Sequence, residues 1–136
     1  FFVHGGIDRA SSFEMISDLF DLEREWTAEY VEEVLSTLSK SKRRKIEKVM
    51  RTRYLTPEGN FVAYKSESDA DTWWAPRYDG KFGHAWYGHQ PFDEIREDAY
   101  ATGVDTGACD GGSLTAVCVN TGDIYSVQEG DVYAEC

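Results

Sequence analysis

Twice in this chain a short apolar run carries a histidine into a glycine turn, and these two places constrain the fold more than any other part of the sequence. The first is Phe1-Phe2-Val3-His4-Gly5-Gly6, and the second is His84-Ala85-Trp86-Tyr87-Gly88-His89-Gln90-Pro91. Aromatic and β-branched residues suit a pleated, half-buried backbone, and glycine allows a tight exit from it. Each stretch therefore predicts a strand that delivers its histidine, His4 or His89, to a strand end. The first run reads as a strand already under way, with no initiator methionine and no signal-peptide pattern, so further polypeptide is expected before it.

Between these strands the pattern is helical from about Ser11 to Thr52. Ser11 and Glu14 have capping-box spacing ahead of Phe13, Ile16, Leu19 and Phe20, which share one face. Thr27 is placed to cap a second helix with Tyr30, Val31, Val34, Leu35 and Leu38 inward. Ser41 is read as the start of a third, with Ile46, Val49 and Met50 inward and its basic residues in solvent. Thr56-Pro57-Glu58-Gly59-Asn60 is turn chemistry, Phe61 to Tyr64 a short strand, and Lys65 to Asp71 a polar link. From about Trp73 the chain reads as short strands, including Ala101 to Asp105, Ser113 to Asn120 and Asp123 to Gln128. Gly111-Gly112 and Asn120-Thr121-Gly122 supply hairpin turns. Strands flanking a helical insertion, residues 11–71, give an α+β layered domain.

With 136 residues the chain can bury the core of one domain. A net charge of −11 argues against general nucleic-acid binding, which needs a basic surface to neutralise phosphates. The charge is uneven: from Lys40 to Arg53 eight basic residues stand against Glu47 alone, a local net of +7 that leaves −18 on the rest. A solvated helix face is the ordinary reading of such a run. The 3 cysteines, Cys109, Cys118 and Cys136, form no CxxC pair and leave an odd one over, which fits a reducing, cytoplasmic setting. No stretch approaches the roughly 20 apolar residues of a membrane helix, so a soluble protein is expected.

Two histidines at strand ends are suited to metal ligation, because a rigid strand fixes each imidazole and the turn leaves room for an ion. Such histidines are more often structural, and two of them do not hold a hydrolytic metal without oxygen ligands. The order of short motifs goes further. Phe2-Val3-His4-Gly5-Gly6-Ile7, Trp86-Tyr87-Gly88-His89-Gln90-Pro91, Gly103-Val104-Asp105-Thr106-Gly107-Ala108 and Gly111-Gly112-Ser113-Leu114-Thr115-Ala116-Val117 resemble the distal signatures of the phosphoprotein phosphatase family. That family also includes bacterial diadenosine tetraphosphatases, and the resemblance skips residues 8–71. It implies part of a four-layer α/β/β/α, calcineurin-like metallophosphoesterase sandwich, with residues 1–136 as its carboxy-terminal part. It also implies two divalent metal ions, manganese with iron or zinc as rivals. His4 and His89 inherit ligand roles toward one ion, and Arg77, in Trp73-Trp74-Ala75-Pro76-Arg77-Tyr78, inherits that of holding phosphate oxygens. His84 matches no motif and is read as structural. Asp105 is read as shaping the fold, and Asp79 and Asp110 as turn formers.

The resemblance implies hydrolysis of a phosphate ester or anhydride by a metal-activated water, on a phosphorylated protein or a nucleotide. Diadenosine polyphosphate hydrolysis is the alternative substrate reading. The family's GDxHG, GDxxDRG and GNH[ED] motifs are absent from the sequence, so an amino-terminal half is expected as a covalent or associated partner and the chain alone is expected to be inactive. A reading of another class makes it a binding module whose basic helix meets an anionic partner.

Overall fold

The computed structural model describes residues 1–8, 24–25, 27–63 and 65–128. In chain order its elements are β1 (Phe2–Val3), α1 (Ala28–Ser36), α2 (Lys40–Lys48), β2 (Tyr54–Leu55), β3 (Thr72–Trp73), β4 (Ala85–Tyr87), β5 (Arg96–Asp98), β6 (Ala101–Gly103), β7 (Leu114–Val117) and β8 (Ile124–Val127). Short 3-10 turns lie at Ala75–Arg77 and Ala108–Asp110. The central sheet has the order β1-β4-β6-β5, parallel from β1 to β6 and antiparallel between β5 and β6. Strands β2 and β3 pair antiparallel, as do β7 and β8. The mixed α+β expectation holds at this level. No closed four-layer sandwich forms among the described residues.

The two apolar runs that end in histidines become neighbours. Phe2 registers with Trp86 and Val3 with Tyr87, so parallel pairing carries both histidine turns to the same end of the sheet. The core beneath them is small and aromatic. Trp74 and Tyr87 are fully buried with ring centroids 5.0 Å apart, and Leu55, Ala75, Ala85 and Ala101 fill in around them. Alanine on three of these elements lets the large rings approach the backbone.

Helix α1 begins where expected: Thr27 is its cap, accepting from the Tyr30 amide at 3.2 Å. Helix α2 begins before Ser41, because extended Ser39 accepts from the Lys42 amide and so caps it. Met50 does not point inward as expected but is 53% exposed, since the helix ends at Lys48 and the backbone turns away. The capping box at Ser11 and Glu14, its apolar face and Cys136 lie outside the described residues. Of the strand expected at Phe61 to Tyr64, Phe61 makes a single bridge to Leu55, and Tyr64 is outside the described residues. Gly111-Gly112 does not close a hairpin; it leaves the 3-10 turn at Ala108–Asp110 and leads into β7.

Strand β5 has no sequence signature, since Arg96-Glu97-Asp98 is fully charged. It forms because Ala99-Tyr100 turns the chain back onto β6 at the sheet edge. There Arg96 pairs with Asp98 at 3.2 Å and lays its stem near the rings of Trp73 and Phe92. Among the described residues, no helix is long and apolar enough to cross a membrane.

Gly5 and Gly6 join the helical segment to the sheet. Both amides donate to the Val49 carbonyl, at 3.0 and 3.1 Å, just past the end of α2. A Cβ on Gly5 would lie 2.8 Å from the Met50 backbone, and one on Gly6 would lie 2.4 Å from the Trp74 indole nitrogen. Neither position has room for a side chain. Gly5→Ala, whose clash is with rigid backbone, is expected to cost about 1–3 kcal/mol or more of folding stability, measured by urea unfolding. Gly83→Ala, with nothing near its Cβ, is expected to cost only the strain of its positive φ.

Candidate functional site

At the end of β1 and β4 the imidazoles of His4 and His89 lie with ring centroids 4.6 Å apart. The Gly88 amide donates to the His4 carbonyl at 3.1 Å, extending the β1–β4 pairing one step into the turn. His89 then departs from ordinary backbone geometry: its φ is +69°, in the left-handed region that a side chain with a Cβ disfavours. Holding it there costs about 1–2 kcal/mol. Arg53, just ahead of β2, reaches across to donate from Nη2 to the His89 carbonyl at 3.1 Å and so fixes this conformation. Non-glycine residues held in this region gather at functional sites.

The electrostatics follow from the same placement. Burial, then the positive charge of Arg53 and the neighbouring His4, hold the His89 pKa below its usual 6.5, and Asp105 opposes them only weakly. A lowered histidine pKa means the folded state binds fewer protons than the unfolded one in this window. The associated stability is complete above the unfolded value and is lost as pH falls through the lowered one.

Beside His89 a cavity of about 530 Å³ is lined by Arg51, Arg53, Phe61, Val62, Ala63 and Glu67 as well as the histidine itself. A second, of about 380 Å³, shares Arg53 and Glu67 with it and continues past Tyr54, Ser68, Asp71 and Gln90. Arg53 and Glu67 thus form the wall common to both. The sequence places Arg51 and Arg53 in the basic run, read as a solvated face or as a surface for an anionic partner, and does not single them out. The signal that marks them is the Arg51-Thr52-Arg53 alternation: Thr52 is fully buried where the chain leaves the helix, which sends the two arginines to the other side.

Arg77 engages a different partner set. Its guanidinium donates to the carbonyls of Thr56 and Pro57, at 2.5 and 2.8 Å, and fastens the turn that follows β2. His84 bonds Thr102 on the adjacent β6 through Nε2, at 2.8 Å.

The metal expected with His4 and His89 does not fit these surroundings. Among the described residues no three histidine, cysteine, aspartate or glutamate side chains come together to hold an ion. The nearby carboxylates are committed elsewhere. Asp8 is buried, receiving the Phe61 amide at 3.3 Å and Lys48 at 3.6 Å, while Asp105 receives the Gly107 amide at 3.1 Å. What faces the histidines instead is a guanidinium, which repels a cation. The two-ion manganese centre, the calcineurin-like metallophosphatase activity and the phosphoprotein phosphatase assignment are therefore withdrawn for this chain. Comparison with known proteins gives them no support: no family model matches the chain, and no curated protein matches it.

His89→Gly separates strain from function. It is expected to raise the melting temperature at neutral pH, because glycine adopts the +69° conformation without cost, and to flatten the pH dependence of stability below 6.5. Thermal unfolding across pH 5 to 8 checks both (a window of about three units around the imidazole range).

Proposed function

We propose that this chain is a binding domain for a phosphate-bearing ligand, a phosphorylated protein or a nucleotide, held where Arg51, Arg53 and His89 meet. One observation carries the reading: Arg53 lines both cavities and holds the main chain of His89, so a guanidinium and an imidazole address the same space, with Glu67, which receives the Lys65 amide, as the carboxylate on the shared wall. A planar, permanently charged fork matches the oxygens of a phosphate better than an ammonium does. His89 adds one N–H donor when neutral and two when charged. Phe61 and Val62 give the rest of the ligand an apolar wall, the usual make-up of a small-molecule or side-chain pocket. The domain performs no bond cleavage in this reading.

The anion and the imidazolium stabilise each other, so ligand binding raises the His89 pKa and takes up a proton. Affinity consequently increases as pH falls through the lowered His89 value. The net charge of −11 keeps long polynucleotides away and leaves the local arginines to act at close range. Free thiols at Cys109 and Cys118 support a cytoplasmic location. The polypeptide partner expected from the sequence is supported by the outer edge of β1, where Phe2 is 76% exposed.

Calorimetry with inorganic phosphate and with phosphoserine tests the assignment. Arg51→Gln and Arg53→Gln are each expected to weaken binding by about tenfold or more, the worth of one charged hydrogen bond. Arg77→Gln, whose guanidinium is spent on two carbonyls, is expected to leave affinity unchanged. Heats measured in buffers of different ionisation enthalpy should show proton uptake on binding as pH falls through the imidazole range. Absence of phosphate binding at millimolar concentration, or identical affinity in the Arg53 variant, would remove the proposal.

A further inference from the structure

The two described helices carry opposite charges and do not neutralise each other. On α1, Glu29, Glu32 and Glu33 are exposed and stand at i, i+3 and i+4, which places them on one narrow face. On α2, Lys40 and Arg44 stand at i, i+4 with Lys45 beside them, all exposed. The ion pairs that α2 and the residues after it make go elsewhere, from Arg43 and Arg51 to Glu47 and from Lys48 to Asp8. Among the described residues, none of the three glutamates and none of Lys40, Arg44 and Lys45 has an ionic partner.

The basic arrangement is costly in isolation. A helix N-terminus carries a partial positive charge, so cations in its first turns are unfavourable, and like charges at i, i+4 repel by a few tenths of a kcal/mol. Helix α2 has no acidic residue in its first turn to offset this. The acidic face, Glu29 to Glu33, and the basic face, Lys40 to Lys45, have matching lengths of about 6 to 8 Å along their helices. Only Thr37, Leu38 and Ser39 separate them. A partner that presents an acidic helix to α2 and a basic helix to α1 meets both faces at once, and a second copy of this chain is such a partner.

We infer that two copies associate through a two-fold contact in which the Glu29-Glu32-Glu33 face of each α1 lies against the Lys40-Arg44-Lys45 face of the other's α2. The contact is isologous and so closes at a dimer rather than growing into a fibre. Because its faces are exposed and ionic, it is strong only at low salt and is screened as the Debye length contracts from about 30 Å at 0.01 M to about 3 Å at 1 M.

Sedimentation equilibrium on the whole chain tests this. Wild type is expected to dimerise at about 0.01 M salt and to dissociate at about 1 M. A variant with Lys40→Glu, Arg44→Glu and Lys45→Glu, and another with Glu29→Lys, Glu32→Lys and Glu33→Lys, should each weaken self-association by about tenfold or more, because every contact becomes like against like. Mixing the two variants restores attraction at both contacts, one with its native signs and one with its signs exchanged, so the mixture should dimerise while neither component does. That rescue also shows that both variants are folded, and far-UV circular dichroism of each confirms it. A wild-type monomer at low salt overturns the inference. So does a dimer that survives either reversal, or a mixture of folded variants that stays monomeric. Binding of duplex DNA or of anionic vesicles by monomeric wild type would reassign the α2 face to that partner.

Discussion

One carbonyl oxygen organises this structure. Val49 receives the amides of both Gly5 and Gly6, and that fork fastens the end of the basic helix to the turn that follows β1. The turn can come so close only because neither residue has a side chain: Gly5 lies against the Met50 backbone and Gly6 against the Trp74 ring. The buried Asp8, two residues on, adds an ion pair to Lys48 and receives the Phe61 amide, so the same segment is held at three points. A helical segment that the sequence leaves at an unknown distance from His4 is in this way fixed beside it. Arg51 and Arg53 inherit their positions from that attachment.

The parallel β1–β4 pairing supplies the other half of the site. Register alone puts His4 next to His89, and a left-handed turn at His89 aims its ring at the space that Arg53 borders. The consequence is electrostatic. One imidazole and two guanidiniums line the cleft with the carboxylate of Glu67, and His4 lies beside His89, so cationic groups outnumber the single carboxylate there. The lowered His89 pKa reflects partial burial first and then the positive charge of Arg53 and His4.

The sequence revealed local elements better than the site. The strand character of Phe2–Val3 and Ala85–Tyr87, the Thr27 cap and the Asn120-Thr121-Gly122 hairpin turn were all legible, because each depends on a few adjacent residues. The start of α2 was misplaced because Ser39 and Ser41 are chemically equivalent caps and only backbone geometry chooses between them. Strand β5 was hidden because its charged residues owe their conformation to hairpin closure and to the rings under Arg96, both non-local. The metal reading failed for a similar reason. Motif order placed the two histidines at strand ends, but it could not show that Asp8 turns inward to Lys48 or that Arg53 arrives where a carboxylate was needed.

Arg77 and Arg53 show why residue type and local setting do not decide which arginine borders a cavity. Both follow or precede aromatic residues, and both are within hydrogen-bonding reach of main-chain carbonyls. Arg77 is held by two carbonyls of one exposed turn, so its donors are consumed in closing that turn and its removal acts on the loop. Arg53 donates from Nη2 to the carbonyl of His89, and that bond orients the guanidinium along the wall of two adjoining cavities. The guanidinium that borders both cavities is thus also the one that holds the strained turn carrying His89.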